Sequence, residues 1–316
     1  MGYNIKSKTQ ISIIVPTYKR PELLSSCLIS LMKQSVKSDG YEVIVADDDP
    51  RKSAQSVTEK VIARFPKRII NYLFVGKEQN AHARNEAAKK VKGEWLVFID
   101  DDALAMSDWI RQIKKSIYQK SWLVFGGPIL PYYQTKKPKW FKDKYEIRSH
   151  GTKIKILEPN LYLSASNLVV RKDAFTIIGG FDANLGVCGQ HHGFGEEVKL
   201  QRKIRMKFGS DTIGYDPKIK VKHLVVTNKM RIIYIIRSRF TAGMYHEKTY
   251  EDRIGLIKAG FKAVRAVAIM AMKMARWAVK PSKKYRCWQN FAVNEVIPHC
   301  YEIGWFWEKV TWFNQR

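Results

Sequence analysis

The 316-residue chain carries 56 Lys and Arg against 29 Asp and Glu, a formal charge of +27, with 45% apolar and 12% aromatic residues. That apolar content excludes a disordered polyelectrolyte, and the charge calls for a polyanionic neighbour: nucleic acid, an anionic membrane face or a phosphorylated substrate. Cys27, Cys188, Cys287 and Cys300 are scattered with no CxxC pair, which excludes a disulfide scaffold and a zinc ribbon and fits a reducing cytosol. Met1 to Gln10 lacks an apolar segment and reads as no signal peptide, and no apolar run is long enough to span a bilayer.

Ile11-Ser12-Ile13-Ile14-Val15 reads as a buried first strand, closed by Pro16-Thr17-Tyr18-Lys19-Arg20-Pro21. Behind Pro21, Leu24, Leu28 and Leu31 recur at helical spacing. A second strand, Tyr41 to Ala46, ends in Asp47-Asp48-Asp49-Pro50. A helix over Ser56 to Phe65 and a strand over Ile69 to Val75 complete two strand-helix-strand units. Gly76 ends that strand, and Gln79 to Val91 is helical, with Ala83, Ala87 and Val91 on one stripe and Arg84 beside it.

The stretch from Gly93 to Asp102 organises the rest. Trp95 to Ile99 is an apolar run suited to a buried parallel strand, and it stops at Asp100-Asp101-Asp102. Adjacent carboxylates repel one another, so they need water, basic partners or a divalent cation. An isolated Asp triplet is equally a solvated turn that caps the next helix. The alternation predicts an α/β, doubly wound, mostly parallel sheet, whose carboxyl edge is the ligand-binding side. No GxGxxG follows the first strand and no P-loop signature occurs, which excludes both phosphate cradles.

From about Met230 the pattern turns helical. Between Ile254 and Lys280, at about 100° per residue, Lys258, Lys262, Arg265, Lys273, Arg276 and Lys280 fall within an arc of roughly 80°. Leu256, Phe261, Val264, Val267, Met270, Met274 and Trp277 lie mostly elsewhere, as in a basic interfacial helix. Tyr285, Trp288, Phe291, Tyr301, Trp305, Phe306, Trp307, Trp312 and Phe313 beyond it have the make-up of an interfacial belt. A helix packing its apolar face on the rest of the chain accounts for the same periodicity. With the overall charge, association with anionic lipids is the expectation.

Together, several segments resemble the inverting GT-A family 2 glycosyltransferases. They are Val15-Pro16-Thr17-Tyr18-Lys19-Arg20, the Asp47-Asp48 pair, Ala83-Arg84-Asn85-Glu86-Ala87, and Gly93-Glu94 leading to Asp100-Asp101-Asp102. Ser164-Ala165-Ser166-Asn167, Gly179-Gly180-Phe181-Asp182, Gly195-Glu196-Glu197 and His223 continue the match in the family's order. The acidic motif is Glu196-Glu197 where the family usually has Glu-Asp, and Asp49-Pro50 stands where Gly-Ser is common. The resemblance implies a GT-A catalytic domain over 1–228, with a nucleotide-sugar half over about 1–103 and an acceptor half over about 104–228. A helical, membrane-associating region over 229–316 would follow.

What the resemblance implies for chemistry is a hexosyl or N-acetylhexosaminyl transfer from a nucleotide-diphosphate sugar, foremost a UDP-sugar. The acceptor would be a saccharide or lipid-linked glycan of cell-envelope or exopolysaccharide synthesis. Asp102, with Asp100 and His223, would hold Mn²⁺ or Mg²⁺. Pro16, Thr17, Tyr18, Arg20, Asp48, Arg84, Asp100 and Asp101 would bind the nucleotide sugar. Glu197, with Glu196 second, would be the base that takes the acceptor proton. Trp140 and Asn167 would meet the acceptor. Cys188, His191 and His192 have a passable metal spacing without a fourth partner and are assigned to an acceptor loop. The expected location is cytoplasmic and peripheral on the inner face of the membrane, with no nucleic-acid partner. The rival readings are a sugar-nucleotide nucleotidyltransferase, whose Gly-rich opening loop Val15-Pro16-Thr17-Tyr18 does not resemble, and a non-catalytic polyanion-binding protein.

Overall fold

The computed structural model describes residues 11–36, 40–189, 193–281 and 283–313. The chain divides into two compact units. The first comprises residues up to 132 with 147–189 and 196–224, and the second 133–146, 190–195 and 225–316.

The first unit opens with β1 (Ile11–Thr17), α1 (Pro21–Met32), β2 (Tyr41–Asp47), α2 (Gln55–Arg64), β3 (Ile70–Phe74), α3 (Asn80–Lys90) and β4 (Trp95–Phe98). These match the elements expected from the apolar runs to within a residue or two at each end. It continues with β5 (Ala103–Ala105), α4 (Trp109–Gln119), β6 (Val124–Gly126), β7 (Ile129–Tyr132), β8 (Lys155–Ile156) and β9 (Leu168–Arg171). Helices α5 (Lys172–Ile177) and α6 (Glu196–Phe208) and strands β10 (Ile213–Tyr215) and β11 (Val221–Leu224) complete it.

Eight strands form one sheet in the order β3-β2-β1-β4-β9-β6-β10-β8. All run the same way except β9, wedged antiparallel between β4 and β6, and β8, antiparallel to β10. Strand alternation sorts side chains onto two faces. Ile11, Ile13, Val15, Val43, Val45, Trp95 and Val97 pack with α1, α2 and α4, through Leu24, Leu28, Val61, Trp109 and Ile113. Ile14, Ile44, Ala46, Leu96 and Phe98 pack on the other side with Ala83, Ala87, Phe175, Leu200 and Ile204 of α3, α5 and α6. A sheet covered on both faces explains the unbroken apolar strands. A second, three-stranded sheet, β5-β11-β7, pairs Val221 with Ala105 and His223 with Ala103.

The second unit is helical: α7 (Ile232–Met244), α8 (His246–Tyr250), α9 (Leu256–Val279), α10 (Trp288–Phe291) and α11 (Cys300–Phe313). Helices α7 and α11 cross at glycines, where a Cβ on Gly243 would lie 2.0 Å from the Tyr301 carbonyl and one on Gly304 2.0 Å from that of Phe240. Trp140 belongs to this unit, packed edge-on against Phe141 and beside Tyr145. The buried Asn290 amide ties that loop down by donating to the Trp140 carbonyl at 2.6 Å and the Tyr145 hydroxyl at 2.8 Å. No helix among the described residues is long and apolar enough to cross a membrane.

Candidate active site

The carboxyl ends of β2, β1 and β4 are adjacent in the sheet, and each delivers polar groups to the same edge. Pro16, which cannot donate a backbone hydrogen bond, falls beyond the last β1–β4 pair, Ile14 with Phe98, where no β4 partner is needed. The turns flanking this edge carry non-glycine residues in the left-handed region, Lys19 at φ 55° and Glu78 at φ 58°. Such strain persists where surrounding contacts over-determine it, and it gathers at functional sites. Asp48 is buried and accepts the Lys77 amide proton at 2.9 Å. Burial drives its carboxyl up, against the backbone amides that pull it down. Asp47 serves the turn instead, accepting from the Ala54 amide and the Tyr72 hydroxyl, each at 2.9 Å.

The three carboxylates after β4 diverge in role. Asp101 accepts from the Thr17 hydroxyl at 2.8 Å and pairs with Arg20 at 3.4 Å. Burial, then the adjacent Asp102 charge, pushes it up to about 7. Asp100 is paired with Arg84 at 2.7 Å and accepts from the Ser166 hydroxyl. Burial alone would raise it, but Arg84 leads the partners that hold it below the usual carboxylate range. Asp102 faces His223 Nε2 at 3.1 Å, and Asp100 lies 3.9 Å from the same nitrogen. The β5–β11 register makes that meeting, because pairing Ala103 with His223 sets the ring beside the residue before Ala103. His223 Nδ1 lies 3.1 Å from the Leu224 carbonyl, so that the other ring nitrogen, Nε2, is the one turned to both carboxylates.

Ligand atoms of Asp100, Asp102 and His223 lie within 4.8 Å of one another. Two hard oxygens and one imidazole nitrogen are a donor set that suits a small divalent cation, with Mn²⁺ tolerating the nitrogen best. The acidic cluster can therefore hold a metal ion.

Arg84 joins this cluster to the second acidic motif. Its guanidinium, only 2% exposed, gives one nitrogen to Asp100 at 2.7 Å and another to Glu196 at 3.2 Å. Its Nε is buried with no partner among the described residues. The neighbouring Asn85 clamps the Gly179-Gly180 turn, donating to the Phe181 carbonyl at 2.8 Å and accepting from its amide at 3.0 Å. Glu196 opens α6 and is accommodated by Gly186, where a Cβ would come within 2.8 Å of the carboxyl. Burial, then the charge of Glu197, pushes Glu196 up to about 8, against the pull of Arg84. Glu197 instead lines a cavity of about 350 Å³ together with Arg148, His150, Tyr162 and Ser164.

Of the acceptor residues expected from sequence, Asn167 lies among the strand ends. Its side chain is buried, accepts from Trp109 Nε1 at 2.9 Å, and donates to the Pro128 and Ile219 carbonyls. It holds strand ends together. Trp140 lies in the other compact unit, within its aromatic cluster. Cys188 is exposed, while His191 and His192 fall outside the described residues. Two contacts were missed from sequence: the Ser166 hydroxyl on Asp100, and Tyr132, whose hydroxyl reaches the Asp102 carbonyl at 3.5 Å. Ser166 stands in the segment that drew attention to Asn167, one residue away; nothing in the local sequence marks Tyr132.

The model of the family described as glycosyl transferase family 2 matches residues 12–178. The chain is similar to the succinoglycan biosynthesis protein ExoM of Rhizobium meliloti, 27% identical over 281 residues that cover 81% of this chain and 84% of that protein. It is 23% identical to the glucosyl-dolichyl phosphate glucuronosyltransferase of Haloferax volcanii, over 74% of this chain and 75% of the relative. Among solved structures, the mannosyltransferase PcManGT from Pyrobaculum calidifontis, in complex with GDP-Man and Mn²⁺, superposes with a TM-score of 0.64 at 17% identity, over 96% of this chain and 87% of that one. That likeness is one of fold, a GT-A sheet with a helical C-terminal region. The family match covers more than half of the chain, and the protein belongs to glycosyl transferase family 2: it is a glycosyltransferase.

Proposed function

We propose that the protein is a metal-dependent, inverting transferase that moves a sugar from a nucleotide-diphosphate sugar, foremost a UDP-sugar, to a saccharide or lipid-linked acceptor of cell-envelope or exopolysaccharide synthesis. The observation that carries the reading is Arg84, bridging the carboxylate cluster after β4 and the Glu196-Glu197 pair at the start of α6. One buried cation thus ties the proposed donor side to the proposed acceptor side. ExoM's place in succinoglycan biosynthesis supports the pathway class, and the GDP-Man and Mn²⁺ in PcManGT support a nucleotide-sugar donor with a divalent ion.

In this reading Pro16, Thr17, Tyr18 and Asp48 receive the nucleoside, while Arg20, Arg84 and Asp101 orient the ribose and diphosphate. Asp102, Asp100 and His223 hold the divalent cation. Bound there, it would supply charge neutralisation and Lewis acidity for the departing nucleoside diphosphate. Inversion requires a base on the face opposite the leaving group. Two adjacent carboxylates resist ionising together, so the buried Glu196 keeps the proton and Glu197, on the cavity, takes the one from the acceptor hydroxyl. The cavity's Arg148, His150 and Tyr162 offer polar contacts to an acceptor glycan, a role better suited to them than to Asn167.

Residues 1–228 would then carry the transfer, with donor contacts mostly before residue 103, and 229–316 would hold the enzyme on the inner face of the membrane. The experiment is a thermal-shift panel of UDP-, GDP- and dTDP-sugars with and without Mn²⁺, because a ligand selective for the native state raises its apparent stability. A shift for UDP-sugars that requires Mn²⁺ is the expected result. A larger shift for GDP-sugars would reassign the base, and no shift for any would remove the donor reading.

A further inference from the structure

In its first half helix α9 turns alanines inward, and along its whole length a stripe of large residues faces outward. Ala259, Ala263 and Ala266 are buried, whereas Ile257 is 91%, Phe261 72% and Val264 70% exposed. Taking about 100° per residue, Leu256, Ile257, Phe261, Val264, Val267, Met272, Met274 and Val279 span an arc of about 160° that contains no charged residue. Every one of them is exposed. The arc is bordered on one side by Arg265, Lys258 and Arg276, all exposed, and then by Lys262 and Lys273, which turn toward the body. There Lys262 lies over the Trp305 ring at 4.3 Å and Lys273 donates to the Glu295 carbonyl at 3.0 Å. No Asp or Glu occurs anywhere in the helix.

We propose that this outer face of α9 is a docking surface for an anionic lipid bilayer, the helix lying in the plane of the interface. The inference rests on the peripheral placement given above and deepens it by naming the arc of the helix that meets the lipid. A contiguous apolar face of this size is unusual on a protein surface and marks a site of association. The charge pattern selects the occupant. A strip of apolar side chains with cations along one flank suits acyl chains below and phosphate headgroups at the rim, and the 24-residue helix is too hydrophilic on that flank to insert across the membrane. At a rise of about 1.5 Å per residue the helix lays about 36 Å of this face against the surface.

Sedimentation of the full chain with vesicles of phosphatidylcholine and phosphatidylglycerol at 70:30, and of phosphatidylcholine alone, tests the surface. The wild type is expected to pellet with the anionic vesicles at least ten times more strongly than with the neutral ones. Phe261→Asp with Val264→Asp should reduce pelleting tenfold or more. Lys258→Gln, Arg265→Gln and Arg276→Gln together should weaken it on the order of a hundredfold at low salt, at about fivefold per cation. All these side chains are exposed, and circular dichroism checks that the variants keep their helices. Equal pelleting by the Asp variant and the wild type overturns the proposal. So does a wild-type dimer in light scattering that the Asp variant dissolves, because the face then belongs to a second copy. Vesicle binding needs no donor, so its failure leaves the transferase reading standing, and a failed donor assay leaves this one standing.

Discussion

At the carboxyl end of β4, Asp101, Asp102, Arg84 and Glu196 are ionisable groups placed where burial ordinarily excludes charge. Along the outer face of α9, Ile257, Phe261 and Val264 are apolar groups placed where water is. The two regions depart from the usual partition in opposite directions, and they are completed differently. The buried charges are answered from within: Arg84 pairs with Asp100 and meets the Glu196 carboxyl, and Arg20 serves Asp101 and Asp102. Among the described residues nothing of the kind covers that face of α9. Misplaced charge is tolerated when compensated from within, and its traces are displaced protonation equilibria. Misplaced apolar surface is relieved only from outside.

Substitutions at each region can break or sharpen this contrast. Removing a cation ligand by Asp102→Ala should lower metal-dependent turnover about a thousandfold while the circular dichroism spectrum is kept, since a bound metal contributes several kcal/mol to such a transition state. Glu197→Gln should lower kcat by about 10²–10⁴ with donor affinity intact, read from steady-state kinetics and nucleotide titration. If Glu196→Gln has that effect and Glu197→Gln does not, the buried carboxylate is the base. Arg84→Met leaves the Asp100 carboxylate without its cation and the buried Glu196 carboxyl without its donor, and should cost about 3–5 kcal/mol in urea unfolding. A cost under about 1 kcal/mol would show that water reaches the site and compensates the charges instead.

The Glu196 carboxyl gives a pH signature. The folded state holds its proton near pH 8 against 4.5 when unfolded, so its contribution to stability is complete below about 4.5 and is lost as pH rises to 8. Glu196→Gln should flatten that fall in a series of melts. On α9 the effects reverse with the face: Ala263→Leu, pointing inward, should destabilise by about 1–3 kcal/mol, whereas Phe261→Ser should stay within about 0.5 kcal/mol. Equal costs at the two positions would mean the outer face is packed.

The parallel half of the fold was legible because each strand from β1 to β4 is an apolar run of ordinary length ending in a polar turn. The other half was not. Strands β5, β6, β9 and β10 have three or four residues, and β9 meets β4 across a separation of some seventy positions, so no local period betrays it. The same long-range pairing hides Ser166 behind Asn167: both are polar and adjacent, and only the sheet decides that one hydroxyl meets Asp100 while the amide is enclosed. For α9, spacing separated basic from apolar residues but could not say which arc faces inward. In the first half of the helix the inward face is Ala259, Ala263 and Ala266, small enough for close helix packing, whereas further along Trp277 turns inward onto Phe291.

The account rests on one cation-dependent nucleotide site at the end of β4, and calorimetric titration of UDP, with and without Mn²⁺, into the wild type and Asp102→Asn addresses it most directly. Binding by the wild type that is at least tenfold tighter with Mn²⁺, and a variant whose weak binding ignores the ion, is the expected result. Equal UDP affinity with and without Mn²⁺, unchanged by the substitution, would contradict it.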